Sequence, residues 1–156
     1  MRLKRHKNFK RNIKFFESNY GFYKPHRLFV DATFAQAALI AKVDLKEQIV
    51  KYFGDEVIMV VSKCVINEVQ NLGPQLSGAS QILSQFKPWP CSHNFPVPAS
   101  QCIEDIIGMD NPHRLFLASQ DQTLKRNLSV KTVPLLHITH QTIQFENPSE
   151  HLKVLA

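Results

Sequence analysis

The chain has 156 residues, 44% hydrophobic and 21% charged, which fits one soluble globular domain with a real core and excludes a disordered polyelectrolyte. Its formal net charge is +6 and its pI about 9.3, so an anionic partner is expected. No apolar run approaches the roughly 20 residues that cross a bilayer, and the basic start has no apolar segment behind it, so neither a membrane partner nor a secretory signal is expected.

Residues 1–14 (MRLKRHKNFKRNIK) hold seven Lys or Arg and no acid. Clustered cations displace counterions from phosphate, which makes Arg2, Lys4, Arg5, Lys7, Lys10, Arg11 and Lys14 candidate RNA contacts. The alternative is a solvated basic helix face. Phe9, Ile13 and Phe16 recur at helical spacing, which predicts that this arm (1–24) docks on the domain behind it. The domain is expected over 25–147, with 148–156 as the start of a flexible tail.

Leu28 to Val30 reads as a short strand that Asp31 closes. Helices follow over Thr33–Lys42 and Asp44–Phe53, the second with Asp44 as N-cap. The β-rich run Val57–Ser62 suits a strand buried on both faces. Cys64–Leu72 and Gln75–Phe86 read as helices, the latter opened by Pro74. Residues 87–99 contain four prolines and no periodicity, so a long loop is expected. The remaining elements are a helix over Ser100–Ile107, a strand Arg114–Ala118, a helix Gln122–Leu128, a strand Pro134–Ile138 and an edge strand Gln141–Phe145. Alternating strands and helices predict an α/β fold with a parallel sheet flanked by helices.

In such sheets ligands bind beyond the carboxyl ends of the strands. Asp31, Glu68 and Asp121 each follow a strand and are expected at that edge. Three carboxylates meeting there suit Mg²⁺ or Mn²⁺, which activates water and stabilises a phosphoryl transition state. Each aspartate has a second reading, as the cap of the helix it precedes.

Three cysteines cannot all pair with one another, which argues for a reducing compartment. Cys64, Cys91, His93 and Cys102 make a complete four-ligand set for a zinc ion that would anchor the proline-rich loop at 87–102. Their Cys-x26-Cys-x-His-x8-Cys spacing is not that of a zinc knuckle, and three buried free cysteines are the alternative. Trp89 and Phe95 on the same loop are expected to pack beneath it, with stacking on unpaired bases as the other possibility. Lys125, Arg126 and Lys131 extend the set of candidate phosphate contacts.

Several ordered motifs resemble a known family. These are Leu28-Phe29-Val30-Asp31-Ala32-Thr33, Cys64-Val65-Ile66-Asn67-Glu68, Cys91-Ser92-His93, Gln101-Cys102, HRLFLASQDQTLK from His113 and Val133-Pro134. With the basic start and the Tyr23-Lys24-Pro25 turn, they look like the eukaryotic PIN-like factors of the U three protein 23 type, members of the small-subunit processome. The resemblance covers residues 1 to about 147. It implies a PIN fold, a structural zinc at Cys64, Cys91, His93 and Cys102, and a nucleolar role in early pre-18S rRNA processing. It also implies pre-rRNA, a box H/ACA snoRNA and other processome proteins as partners, with association with that snoRNA or its release. Catalytic PIN nucleases carry a further acidic pair where this sequence has Ser100-Gln101, with Glu104 and Asp105 one turn on. The resemblance therefore implies an RNA-binding factor with a degenerate nuclease centre, the alternative being an Mg²⁺- or Mn²⁺-dependent endoribonuclease using Asp31, Glu68 and Asp121.

Overall fold

The computed structural model describes residues 2–156, with side chains from Arg5 onward, so the contacts expected of Arg2 and Lys4 lie outside the described residues. Six strands form one sheet in the order β3-β2-β1-β4-β5-β6. They are β1 (Arg27–Val30), β2 (Ile58–Ser62), β3 (Lys87–Trp89), β4 (Leu115–Ala118), β5 (Leu135–Thr139) and β6 (Thr142–Phe145). The first five run parallel and β6 returns antiparallel beside β5. All four residues of β4 are buried, as expected of a central parallel strand covered on both faces.

The connecting helices are α2 (Ala32–Ile40), α3 (Leu45–Phe53), α4 (Lys63–Asn71), α5 (Ser77–Ser84), α6 (Ala99–Ile107) and α7 (Gln122–Leu128), with α1 (Arg2–Tyr20) before the sheet and α8 (Glu150–Leu155) after it. α1 packs on α3 and β6, while α2 packs on α4 and α5. Asp44 caps α3 as expected, accepting from the Glu47 N–H, and Gly54 closes that helix in the left-handed conformation at φ 75°.

α1 belongs to the core. Phe9 and Phe16 are each 1% exposed. Phe9 meets Phe53 and Phe145 edge-on at 5.1 Å. Burying each such ring stabilises the fold by roughly 2 kcal/mol. On the same helix, Asn8 and Asn12 donate side-chain N–H groups to the Phe145 carbonyl at 3.3 and 3.5 Å. The helix therefore covers the outer edge of β6, where strand backbone otherwise lacks a partner.

Three expectations are corrected. Part of the proline-rich stretch, Lys87–Trp89, is a strand that pairs with Val60–Ser62. Pro88 has no N–H to give a neighbour, and an edge position demands none on its outer side. The helix expected over Gln75–Phe86 is divided into a 3-10 turn at Pro74–Leu76 and α5. The segment read as a flexible tail forms α8, whose Leu152 is 3% exposed and accepts the Tyr20 hydroxyl at its carbonyl, 2.7 Å away. A single apolar residue and a Ser149 cap are enough to dock it.

Candidate metal centre and acidic cavity

Two sites share two helices. α4 starts straight from β2 with Ser62 as N-cap, which puts Cys64 in its first turn and Glu68 one turn later. α6 begins after Pro98, which offers no side-chain cap. Glu68 supplies the missing acceptor, taking the Ala99 N–H at 3.3 Å. Ser100 and Cys102 follow at once, so each helix contributes to both sites.

The ligand atoms of Cys64, Cys91, His93 and Cys102 all lie within 4.8 Å of one another. Cys64 Sγ is 3.8 Å from Cys91 Sγ and 3.7 Å from His93 Nδ1. Two thiolates about 2.3 Å from a tetrahedral ion stand about 3.8 Å apart, so the spacing is that of one edge of such a tetrahedron. Cys64 and Cys102 are buried, while Cys91 and His93 are partly exposed at the loop. Ser62 Oγ lies 3.2 Å from Cys102 Sγ.

Burial, aided by the neighbouring Cys64 and Cys91 sulfurs, pushes the Cys102 thiol up to about 12. Burial opposes ionisation of Cys91 as well, but hydrogen bonds from His93, Cys64 and Cys102 bring it down to about 7. A buried thiol resists charge until a cation lies beside it, and a set of three sulfurs and one imidazole favours a soft or borderline ion. These four side chains could hold a metal ion.

Asp105 completes this site. Its Oδ2 lies 2.7 Å from His93 Nε2, and this contact is the first cause of the raised His93 pKa. A carboxylate in this place favours the tautomer with the proton on Nε2, which leaves Nδ1 able to serve as a metal ligand. The sequence offers Glu104 and Asp105 as acids near the other site, but Asp105 faces away from it. Its true place has a local signal: Cys102 and Asp105 are three apart on one helix face.

The second site lies where the strand order reverses, between the carboxyl ends of β1 and β4. Asp31, Glu68 and Asp121 line one cavity of about 540 Å³ with Thr33, Gln36, Ser100 and Gln120. Asp31 is 4% exposed. Its Oδ2 accepts the Thr33 hydroxyl at 2.7 Å and the Ser119 hydroxyl at 2.8 Å, while Oδ1 accepts the Ala32 N–H at 2.9 Å. The Ser119 oxygen in turn accepts the Asp121 N–H at 3.1 Å, and the Thr33 oxygen accepts the Gln120 N–H at 2.9 Å. Burial raises the Asp31 pKa against these hydrogen bonds, with Asp121 adding to the rise.

Both aspartates are also helix caps, Asp31 for α2 and Asp121 for α7, where Asp121 Oδ1 accepts the Leu124 N–H at 3.1 Å. Capping and cavity lining are thus compatible in the same residues. The fourth position facing them is Ser100, and among the described residues no Lys or Arg lines the cavity. Thr33, Ser119 and Gln120 fall within motifs that carry the resemblance, but hydroxyls and amides at strand ends have no pattern of their own that assigns them to the site.

The expected cationic contacts divide. Lys7, Lys10, Arg11, Lys14 and Arg126 are exposed, whereas Arg5 and Lys131 are half-buried. Lys125 is not available: it is 4% exposed, with Nζ 2.7 Å from Glu146 Oε2. Phe95 is 83% exposed and does not pack beneath its loop. Trp89 does pack, edge-on to His113 at 5.3 Å and under the Arg27 guanidinium at 5.8 Å.

A PIN-type α/β domain is what this fold and cavity define. Among solved structures the chain resembles that of the PIN domain endonuclease Utp24, with a TM-score of 0.72 and 26% identity over 80% of this chain and 94% of that one. Residues 51–147 match the Fcf1 family, and the chain belongs to that family. It is 26% identical over 153 residues to the rRNA-processing protein utp23 of Schizosaccharomyces pombe, covering 96% of this chain and 59% of that protein. It is 27% identical over 136 residues to fcf1 of the same yeast, covering 85% of this chain and 69% of fcf1. The human FCF1 homolog is 26% identical over the same length, 67% of its own. The chain thus spans under two thirds of the utp23 relative.

Proposed function

We propose that this protein is an RNA-binding factor of ribosome biogenesis, acting in early pre-18S rRNA processing within the small-subunit processome of the nucleolus. It associates with a box H/ACA snoRNA, or promotes its release, alongside other processome proteins. The rRNA-processing relatives support the process. The observation that carries the non-catalytic reading is Ser100 at the start of α6, facing Asp31, Glu68 and Asp121 across the cavity. A divalent site short of a carboxylate holds its ion weakly and positions water poorly.

In this reading the four-ligand centre holds a structural Zn²⁺ at Cys64, Cys91, His93 and Cys102. The ion supplies a covalent staple between α4, α6 and the proline-rich loop. Arg5, Lys7, Lys10, Arg11, Lys14, Arg126 and Lys131 contact phosphates. Elemental analysis of the purified protein tests the metal: one zinc per chain is expected, and Cys91→Ser lowers it.

Convergence of the three carboxylates on one cavity favours a second reading, an Mg²⁺- or Mn²⁺-dependent endoribonuclease. A cleavage assay on single-stranded RNA with Mn²⁺ separates the two. No turnover is expected; cleavage abolished by both Asp31→Asn and Asp121→Asn establishes the nuclease instead.

A further inference from the structure

A second cavity, of about 430 Å³, opens between α1 and the outer edge of β6 and has no part in either site described above. Its lining includes Arg5, Lys7 and Arg11 with Asn8, Gln144 and Ile143, and among the described residues no carboxylate. Two details point to an absent anion. The Arg5 Nε–H is shielded from solvent and has no acceptor among the described residues. An N–H of a permanently charged guanidinium that is left unpaired is costly unless an acceptor arrives. Arg11 is held in place: its Nη2 donates to Asn8 Oδ1 at 2.5 Å, and Asn8 Nδ2 is itself bound to the Phe145 carbonyl. The guanidinium is therefore oriented by an amide fixed to the sheet, so less freedom is lost when it takes a ligand.

The strand edge beside this groove suggests another occupant, an added peptide strand. The chain argues against it. Asn8 and Asn12 already donate to the Phe145 carbonyl, and α1 lies along that edge, so a backbone ladder cannot form there. Cations without a backbone ladder suit phosphodiesters, which accept from guanidinium forks and ammonium groups without regard to sequence.

The groove also lies on the cavity's side of the molecule. Ile143, in its wall, pairs with Ile138 of β5. Ile138 exchanges two hydrogen bonds with the Gln120 side chain, which lines the acidic cavity. The acidic cavity, between β1 and β4, and the edge strand β6 thus stand two to three strand spacings apart, roughly 10–15 Å in the hydrogen-bonding direction.

We propose that the α1–β6 groove is a phosphodiester seat in which Arg5, Lys7 and Arg11 grip the backbone of a single RNA strand, bringing it alongside the acidic cavity without reading its bases. This rests on the RNA-binding reading above and names the surface that performs it. Lys10 and Lys14 lie outside the groove lining and meet phosphates beyond this seat.

The test is fluorescence anisotropy with a fluorescein-labelled polyuridylate across a salt series, using the full chain. The triple variant Arg5→Gln, Lys7→Gln, Arg11→Gln loses about three phosphate contacts, so the slope of log affinity against log salt falls by about 2. Affinity at low salt drops at least about tenfold. Because the buried Arg5 Nε can matter for packing, the double variant Lys7→Gln, Arg11→Gln, both exposed, is measured beside it and loses about 1.4 in slope. A control triple, Lys42→Gln, Lys46→Gln, Lys87→Gln, removes the same charge elsewhere and leaves the slope near that of the parent chain. Equal losses in groove and control variants, or none in the double variant, overturn the groove while leaving RNA binding intact. Absence of any salt-dependent affinity in the parent chain overturns both the groove and the functional reading. Displacement of the RNA by an equal charge of polyglutamate shows that the groove takes acidic polypeptide, and likewise overturns the proposal.

Discussion

His93 turns one ring nitrogen to Cys64 and the other to Asp105, 3.7 and 2.7 Å away. An imidazole held from behind by a carboxylate is a stronger and better aimed ligand. Asp105→Asn keeps the shape but removes the charge, and it is expected to weaken metal affinity by about 10- to 100-fold without unfolding the chain. Competition against a chromogenic chelator measures this. Unchanged affinity means that Asp105 is a surface contact only.

The buried Asp31 carboxylate sets the sign of a pH effect. Its folded pKa is raised above the ordinary value, burial being the main cause. Between the ordinary and the raised value the folded state binds more protons than the unfolded one. This group's stabilisation, complete below the ordinary value, is therefore lost as pH rises through the raised one. Asp31→Asn has no such titration. Thermal melts from acid to neutral pH are expected to show the variant gaining on the parent chain as pH rises. A constant offset across the range contradicts a buried, cation-free carboxylate.

Ser100 faces the acids, and Ser100→Asp supplies a fourth carboxylate. Divalent affinity rises with ligand charge, so Mn²⁺ binding in calorimetry is expected to strengthen roughly tenfold. If the added aspartate leaves Mn²⁺ binding unchanged, the cavity does not have the geometry of a metal seat.

Lys125 and His137 both reach Glu146 Oε2, at 2.7 and 3.1 Å. Removing one partner of a buried ion pair costs about 3–5 kcal/mol, which falls to about 2 here because Glu146 keeps some contact with water. Lys125→Met is expected to lower stability by that amount in urea titration. Burial opposes the shift, but His137 and Lys125 win and lower the Glu146 pKa. The stabilisation from that group is therefore complete above the ordinary glutamate value and is lost as pH falls through the lowered one. A destabilisation by Lys125→Met that does not shrink in acid excludes the ion pair as its source.

Most of the strands are legible in the sequence because buried parallel strands read as apolar runs, as in Ile58–Ser62. Cys91, His93 and Cys102 lie on or beside one loop, but 26 residues separate Cys64 from Cys91, so their spacing alone leaves the donor set open and the family resemblance assigns it. Lys125 is not legible in this way: its partner Glu146 lies beyond β6, and only the β5–β6 turn brings it back. The strand at Lys87–Trp89 is hidden by prolines, whose tolerance at a sheet edge depends on which strand is the edge. α8 escapes because a six-residue helix with one buried leucine has too little periodicity to announce itself.

Cys64 and Glu68 stand one turn apart on α4, and Ser100 and Cys102 lie two residues apart on α6. Two shared helices are the physical route by which occupancy of one site would bear on the other. Metal that stiffens these helices lowers the entropic penalty of ordering the cavity for whatever enters it. By reciprocity, a guest in the cavity must tighten the hold on the metal by the same factor. The contents of the cavity would in this way bear on the neighbouring metal seat.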